Sequence, residues 1–116
     1  MSKREPGAAL KQMLAYAREA SAMIARRSRS DLDSDRQLEL ALTRLVEIVG
    51  EAATRVTTEE RARLPGIPWS QVVGFRNRLI HAYDAVDLDV LWSVIEDDLP
   101  VMIAVLAGAL PASPGA

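Results

Sequence analysis

Between positions 38 and 53, apolar residues return every three or four places: Leu38, Ala41, Leu42, Leu45, Val46, Val49, Ala52 and Ala53. That spacing gathers them on one broad face of an α-helix, whereas a strand would scatter them over both of its faces. A face this wide must be covered by other helices, so the segment predicts the central element of an all-α packing. The same spacing recurs in Leu10, Met13, Leu14, Ala17, Ala20 and Ile24, predicting a first helix over about 8–27. Residues 28–34, rich in Ser, Asp and Arg, break it, and Asp33 or Ser34 can cap the central helix by offering an oxygen to unpaired backbone donors. Val56-Thr57-Thr58-Glu59-Glu60 ends that helix and reads as the cap of a short helical turn.

Downstream, Leu64-Pro65-Gly66-Ile67-Pro68 is the strongest punctuation in the chain. Pro68, whose missing N–H costs nothing in a first turn, predicts a third helix over about 68–82. A turn at 84–87 leads to a last helix starting near Asp87 or Asp89, with Val90, Leu91, Val94, Ile95, Leu99, Met102, Ile103 and Leu106 as its stripe. Pro100 falls inside that stripe and should kink or split the helix. The expected fold is therefore all-α, an antiparallel four-helix bundle with a short extra helix, forming a single domain over 1–110 followed by a disordered tail, 111–116. At 116 residues such a bundle is marginal alone, and its wide apolar faces suggest a homodimer.

Composition narrows the chemistry. Cysteine is absent and His81 is the single histidine, which excludes thiolate sites, cysteine nucleophiles and a His-rich metal cage. The net charge of −2 excludes a protein that coats nucleic acid by charge alone, and five aromatics are too few for a base-stacking platform. No targeting signal is visible near the start, and the longest apolar run, 99–110, is 12 residues, against roughly 20 for a bilayer span. These readings place the chain in the cytoplasm, without membrane contact, metal or cofactor.

Polar and ionisable groups concentrate in Arg76-Asn77-Arg78-Leu79-Ile80-His81-Ala82-Tyr83. On a continuous helix, Asn77 and His81 would lie about 40° apart, Arg76 and Tyr83 would nearly superimpose, and Arg76 and His81 would be separated by about 140°. The last pair converges only if the helix end bends or a second copy closes over it. Cleaving an RNA phosphodiester without metal requires a base near neutral pH for the ribose 2′-hydroxyl and a cation for the charge that builds on phosphorus. His81 suits the first task and Arg76 the second. Asn77 could orient the histidine or bond a phosphate oxygen. Tyr83 could donate to phosphate, act as a nucleophile or accept a modification. By spacing alone, a solvated polar face with a hydrogen-bonded histidine is the more economical reading, and Arg76 could simply stack on Tyr83.

The segment resembles the Arg-x4-His-x-Tyr signature of the HEPN superfamily in its HepT form, the DUF86 group. Leu45-Val46-Glu47-Ile48-Val49-Gly50-Glu51-Ala52-Ala53 resembles that group's second helix. Ile67-Pro68-Trp69, with Val72-Val73-Gly74-Phe75-Arg76-Asn77, resembles its entry into the signature helix. Asp87-Leu88-Asp89-Val90-Leu91-Trp92 and Asp98-Leu99-Pro100 resemble its last helix, so the likeness covers about 38–106. The resemblance implies an all-helical homodimer, the toxin of a type VII-like toxin–antitoxin system, and a metal-independent endoribonuclease acting on tRNA or mRNA. It implies Arg76 and His81 as the catalytic pair meeting across a dimer cleft, and Asn77 as a supporting polar residue. It implies further an MntA-like minimal nucleotidyltransferase antitoxin that neutralises the toxin by AMPylation of Tyr83. Asp84 departs from the family, which often has an aromatic or Gly-like residue there; a carboxylate at that place could weaken RNA binding or raise the pKa of His81.

Arg26-Arg27-Ser28-Arg29 is the one basic cluster and, with Arg78, could guide RNA, although a solvated helix end explains it more simply. Glu47 and Glu51, one turn apart, could pair with Arg76 or Arg78, or accept hydrogen bonds in the core. Trp69 and Trp92 read as packing anchors. Against the enzyme stand two other readings. One is a non-catalytic helical partner of a nucleotidyltransferase, which the acidic balance favours slightly; the other is a purely structural dimer.

Overall fold

Asp35 decides where the central helix begins. In a computed structural model describing residues 7–80 and 85–110, its backbone is extended and its side chain accepts the N–H of Leu38 at 3.0 Å. The helix it caps runs from Arg36 to Thr54. The Asp35 carboxyl is held below its ordinary value, first by that N–H and then by the Arg27 guanidinium, 3.1 Å away. The cap thus falls just after the expected positions, because Asp33 and Ser34 are used in a short helix of their own, Asp31–Ser34.

In chain order the helices are α1 (Ala8–Met23), α2 (Asp31–Ser34), α3 (Arg36–Thr54), α4 (Thr58–Ala62), α5 (Trp69–Val73), α6 (Phe75–Leu79), α7 (Leu88–Ser93) and α8 (Leu99–Ala109), with a π-helical turn, Val94–Asp98, joining the last two. The fold is all-α, as the spacing predicts. α3 packs against α1 and against α5 and α6, while α8 closes on α1. Leu42, Val46, Val49, Ala52 and Ala53 of α3 are fully buried among Met13 and Ala17 of α1, Phe75 and Leu79 of α6, and Leu99, Met102 and Leu106 of α8. Burying a side chain of Leu or Phe size contributes roughly 1.5–3 kcal/mol, so this face of α3 supplies much of the driving force for folding.

Two expectations need correcting. The first helix ends at Met23 rather than near 27: Ile24 and Ala25 bond back only three residues, and Ala25, Arg26 and Arg27 are exposed, so nothing apolar holds another turn. The segment expected to be one helix over 68–82 is interrupted at Gly74 and ends at Leu79. Ile80 turns extended, with φ −78° and ψ 124°, and forms an isolated antiparallel bridge with Val86. The Asp87 N–H then bonds the Leu79 carbonyl at 2.8 Å, satisfying one of the acceptors a helix end leaves open. Pro100 marks the split expected of it: the last helix is divided into α7 and α8, with Pro100 in the first turn of α8. Its ring crowds the carbonyl four residues earlier, and the widened turn at Val94–Asp98 absorbs the strain before α8 continues.

The Thr57 cap forms as expected: Thr57 Oγ1 accepts the Glu60 N–H, while the Glu60 carboxylate accepts the Thr57 N–H, both at 3.0 Å. Trp69 donates to the Leu64 carbonyl at 3.1 Å and lies under the Arg61 guanidinium; Trp92 donates to Glu96 at 3.0 Å. Both tryptophans are packing anchors. Among the described residues, no helix is long and apolar enough to cross a membrane. The expected tail lies outside the described residues.

Candidate active site

Gly50 sets the distance at which the signature helix meets the core. It is buried in the middle of α3, and a Cβ placed on it would stand 3.1 Å from the Val72 carbonyl oxygen and 3.5 Å from Phe75 Cβ. A side chain here would press on the Val72 carbonyl and push α5 and α6 back by a few tenths of an ångström. Phe75 and Leu79 then fill the groove against α3, which turns Arg76, Asn77 and Arg78 outward, and all three are exposed.

Arg76 stands 74% exposed, with Nε 3.9 Å from Glu47 Oε2. Glu47 is far less open, at 21%, and its other oxygen lies 3.8 Å from Arg44 Nη1. The same Arg44 nitrogen is 3.3 Å from Glu51 Oε1. Charges thus alternate from α6 onto α3: Arg76, Glu47, Arg44, Glu51. Of the options open to Glu47 in the sequence, pairing with Arg76 is the one realised. Arg78 takes a different partner, Asp98 in the π-helical turn, at 3.1 Å, and lies over the Phe75 ring.

The basic cluster is largely neutralised. Arg27 pairs with Asp35, and Arg29 bonds Asp89 at 2.6 Å and Asp33 at 3.1 Å. Those bonds, Asp89 first, raise the Arg29 pKa further above its ordinary value. Arg26 is exposed. Because Asp89 follows closely on Asp87, which bonds Leu79, the 28–30 loop is tied to the end of the molecule where α6 terminates.

His81, Tyr83 and Asp84 lie outside the described residues. The extended Ile80 interrupts the continuous helix that the 40° and 140° projections assume. Among the described residues, no group of three or more histidine, cysteine or acidic side chains is arranged to hold a metal ion.

A family model described as Ribonuclease HepT-like matches residues 13–108. The chain belongs to this ribonuclease HepT-like family. A Methanocaldococcus jannaschii protein named "Putative RNase MJ1380" is 32% identical over 100 residues, which cover 86% of this chain and 92% of that protein. A Thermococcus cleftensis protein named "Probable ribonuclease HepT" is 37% identical over 70 residues, 60% of this chain and 64% of that protein. A Caldanaerobacter subterraneus protein named "Putative RNase TTE0752" is 34% identical over 70 residues, 60% of this chain and 62% of that protein. The match thus spans under two thirds of the latter two relatives' own lengths. No solved structure matches the chain.

The fold adds partners that the sequence pattern around Arg76 does not announce. Asp98 and Asp89 were not singled out in the sequence as partners of Arg78 and Arg29. They lie 20 and 60 residues away in the chain, and no local pattern announces such a pair. Glu47 carried a local signal: a carboxylate on an otherwise apolar helix face.

Proposed function

We propose that this HepT-like chain is a metal-independent endoribonuclease, the toxin of a two-component toxin–antitoxin pair, with Arg76 and His81 as its catalytic residues and Asn77 in support. The observation that carries the reading is Arg76 itself. It is a permanently charged group, 74% exposed, whose ion-pair contact among the described residues is a long one, Nε to Glu47 at 3.9 Å. In the reaction, His81 takes the proton of a ribose 2′-hydroxyl and the freed oxygen attacks the adjacent phosphorus. The bond to the 5′-oxygen breaks and that oxygen takes a proton from water, leaving a 2′,3′-cyclic phosphate and a 5′-hydroxyl. Arg76 stabilises the charge that grows on the phosphoryl oxygens. Asn77, next to Arg76 on α6, is exposed and close enough in sequence to share a phosphate contact.

The active form is a homodimer. Leu40 is 51% exposed and shares an α3 face with Arg44, Glu47 and Glu51, leaving an apolar side chain beside the Arg76 network for a second copy to cover. Control is by an MntA-like nucleotidyltransferase. The Tyr83 hydroxyl attacks the α-phosphorus of ATP, pyrophosphate leaves, and a tyrosyl-AMP is formed. Its negative charge would then compete with RNA phosphate for Arg76. Arg26 and the partly engaged Arg27, Arg29 and Arg78 are secondary contacts for an RNA whose class, tRNA or mRNA, the residues do not select.

A second reading rests on the pairing of Arg27, Arg29 and Arg78 with carboxylates, which removes much of the free positive charge an RNA would meet. In that case the chain is a non-catalytic partner of the nucleotidyltransferase. Inducing wild type, His81→Ala and Tyr83→Phe separately in cells, with and without the nucleotidyltransferase, separates the two. The ribonuclease reading expects growth arrest and RNA fragmentation with wild type, neither with His81→Ala, and arrest by Tyr83→Phe that the nucleotidyltransferase no longer relieves. A well-folded wild type that leaves RNA intact supports the partner reading instead.

A further inference from the structure

We infer that Glu47 is a positioning residue for Arg76, holding the guanidinium by Nε so that its two terminal nitrogens face an incoming RNA phosphate; this rests on the ribonuclease reading. Arg76 is mostly exposed on a short helix, and a free arginine side chain there would sample many rotamers. Glu47, in contrast, projects from the longest helix, between the fully buried Val46 and Val49 on its own turn. It is the rigid member of the pair.

The two carboxylate oxygens divide their work: Oε1 lies toward Arg44 at 3.8 Å and Oε2 toward Arg76 Nε at 3.9 Å. Arg44 is itself shared with Glu51, so the carboxylate is steadied from the side away from Arg76. A guanidinium approached at Nε keeps the edge formed by Nη1 and Nη2, which is the edge that makes paired contacts with two phosphate oxygens. A carboxylate that gripped those terminal nitrogens would compete with substrate; one placed at Nε orients without competing. Gly50, one turn along α3, permits the close approach that brings α6 within reach of Glu47.

The test has two arms on the full-length protein. In arginine-labelled protein, the Arg76 Nε–H resonance, assigned by its loss in Arg76→Lys, is expected to be ordered in wild type and in Glu51→Gln but mobile in Glu47→Gln. With a fluorogenic single-stranded RNA oligonucleotide, Glu47→Gln is expected to lower kcat about tenfold while KM stays level or falls, since orientation is lost and a negative charge near the phosphate is removed. In an Arg76→Lys background the same substitution should change kcat less than about twofold, because the group it acts through is gone. An Arg76 signal equally ordered in Glu47→Gln, an unchanged kcat, a KM effect alone, or the same loss in the Arg76→Lys background would each overturn the positioning role. If wild type leaves the RNA intact, the ribonuclease reading falls and takes the positioning role with it, while the resonance still reports the contact.

Discussion

Gly50→Ala offers a way to test whether close helix approach governs both stability and the site. In the middle of an exposed helix, replacing Gly by Ala stabilises by roughly 0.5–1 kcal/mol, because less backbone entropy is lost on folding. At Gly50 the new methyl carbon would meet the Val72 carbonyl oxygen at 3.1 Å, and that obstacle is backbone, which cannot rotate aside. Overpacking of this kind costs roughly 1–3 kcal/mol, so the two effects sum to a net loss of about 1 kcal/mol. Gly108, near the end of α8, has nothing within 4 Å of such a carbon, so Gly108→Ala should show the favourable effect alone, about 0.5 kcal/mol. Urea unfolding of wild type and both variants, with unchanged slopes, gives the comparison directly. The two substitutions should move the midpoint in opposite directions. RNA cleavage by the folded fraction of Gly50→Ala should also fall, since α5 and α6 are pushed away from Glu47. If Gly50→Ala stabilises as much as Gly108→Ala, the close approach places no constraint on the fold and the reasoning fails.

Other outcomes follow from the packing and the charges. Leu42, fully buried at the centre of α3, should cost roughly 2–5 kcal/mol when replaced by Ala, seen as a lower urea midpoint. The Asp35 carboxyl sits below its ordinary value in the folded state, so its stabilisation is complete above about pH 4 and is lost as pH falls through the folded value. Asp35→Asn keeps an acceptor for the Leu38 N–H without the titrating charge, so it should be less stable at neutral pH and show a flatter acid limb in thermal melts. Asp98→Asn frees Arg78 from its 3.1 Å partner. Because such surface pairs contribute at most about 1 kcal/mol, stability should hardly change, while RNA binding measured by fluorescence anisotropy should tighten at low salt and lose the gain at high salt.

What could be read in the sequence was local. The face of α3 is legible because a 3.6-residue period is a property of neighbouring positions, and the Thr57–Glu60 capping box because its members are three apart. The disturbance before α8 is legible because proline acts on its own turn. The end of α6 was not legible. Ile80 is an acceptable helix residue, and its extended backbone is fixed by tertiary partners, Val86 across the bridge and the Asp87 N–H on the Leu79 carbonyl. The candidate site divides the same way. Arg76 and Asn77 were marked by their motif, and Glu47 by its position on an apolar helix. The neutralising partners Asp89 and Asp98 come from distant parts of the chain, where charge alone does not say who meets whom.

The central claim is that Arg76 and His81 cleave RNA without a metal. The most direct measurement incubates purified wild type, Arg76→Ala and His81→Ala with total cellular RNA in excess EDTA, and analyses fragment ends at matched concentrations of folded protein. The account predicts fragments ending in 2′,3′-cyclic phosphate from wild type, and loss of cleavage by at least about a hundredfold in each variant. Intact RNA with wild type, or cleavage that survives either substitution, would contradict it.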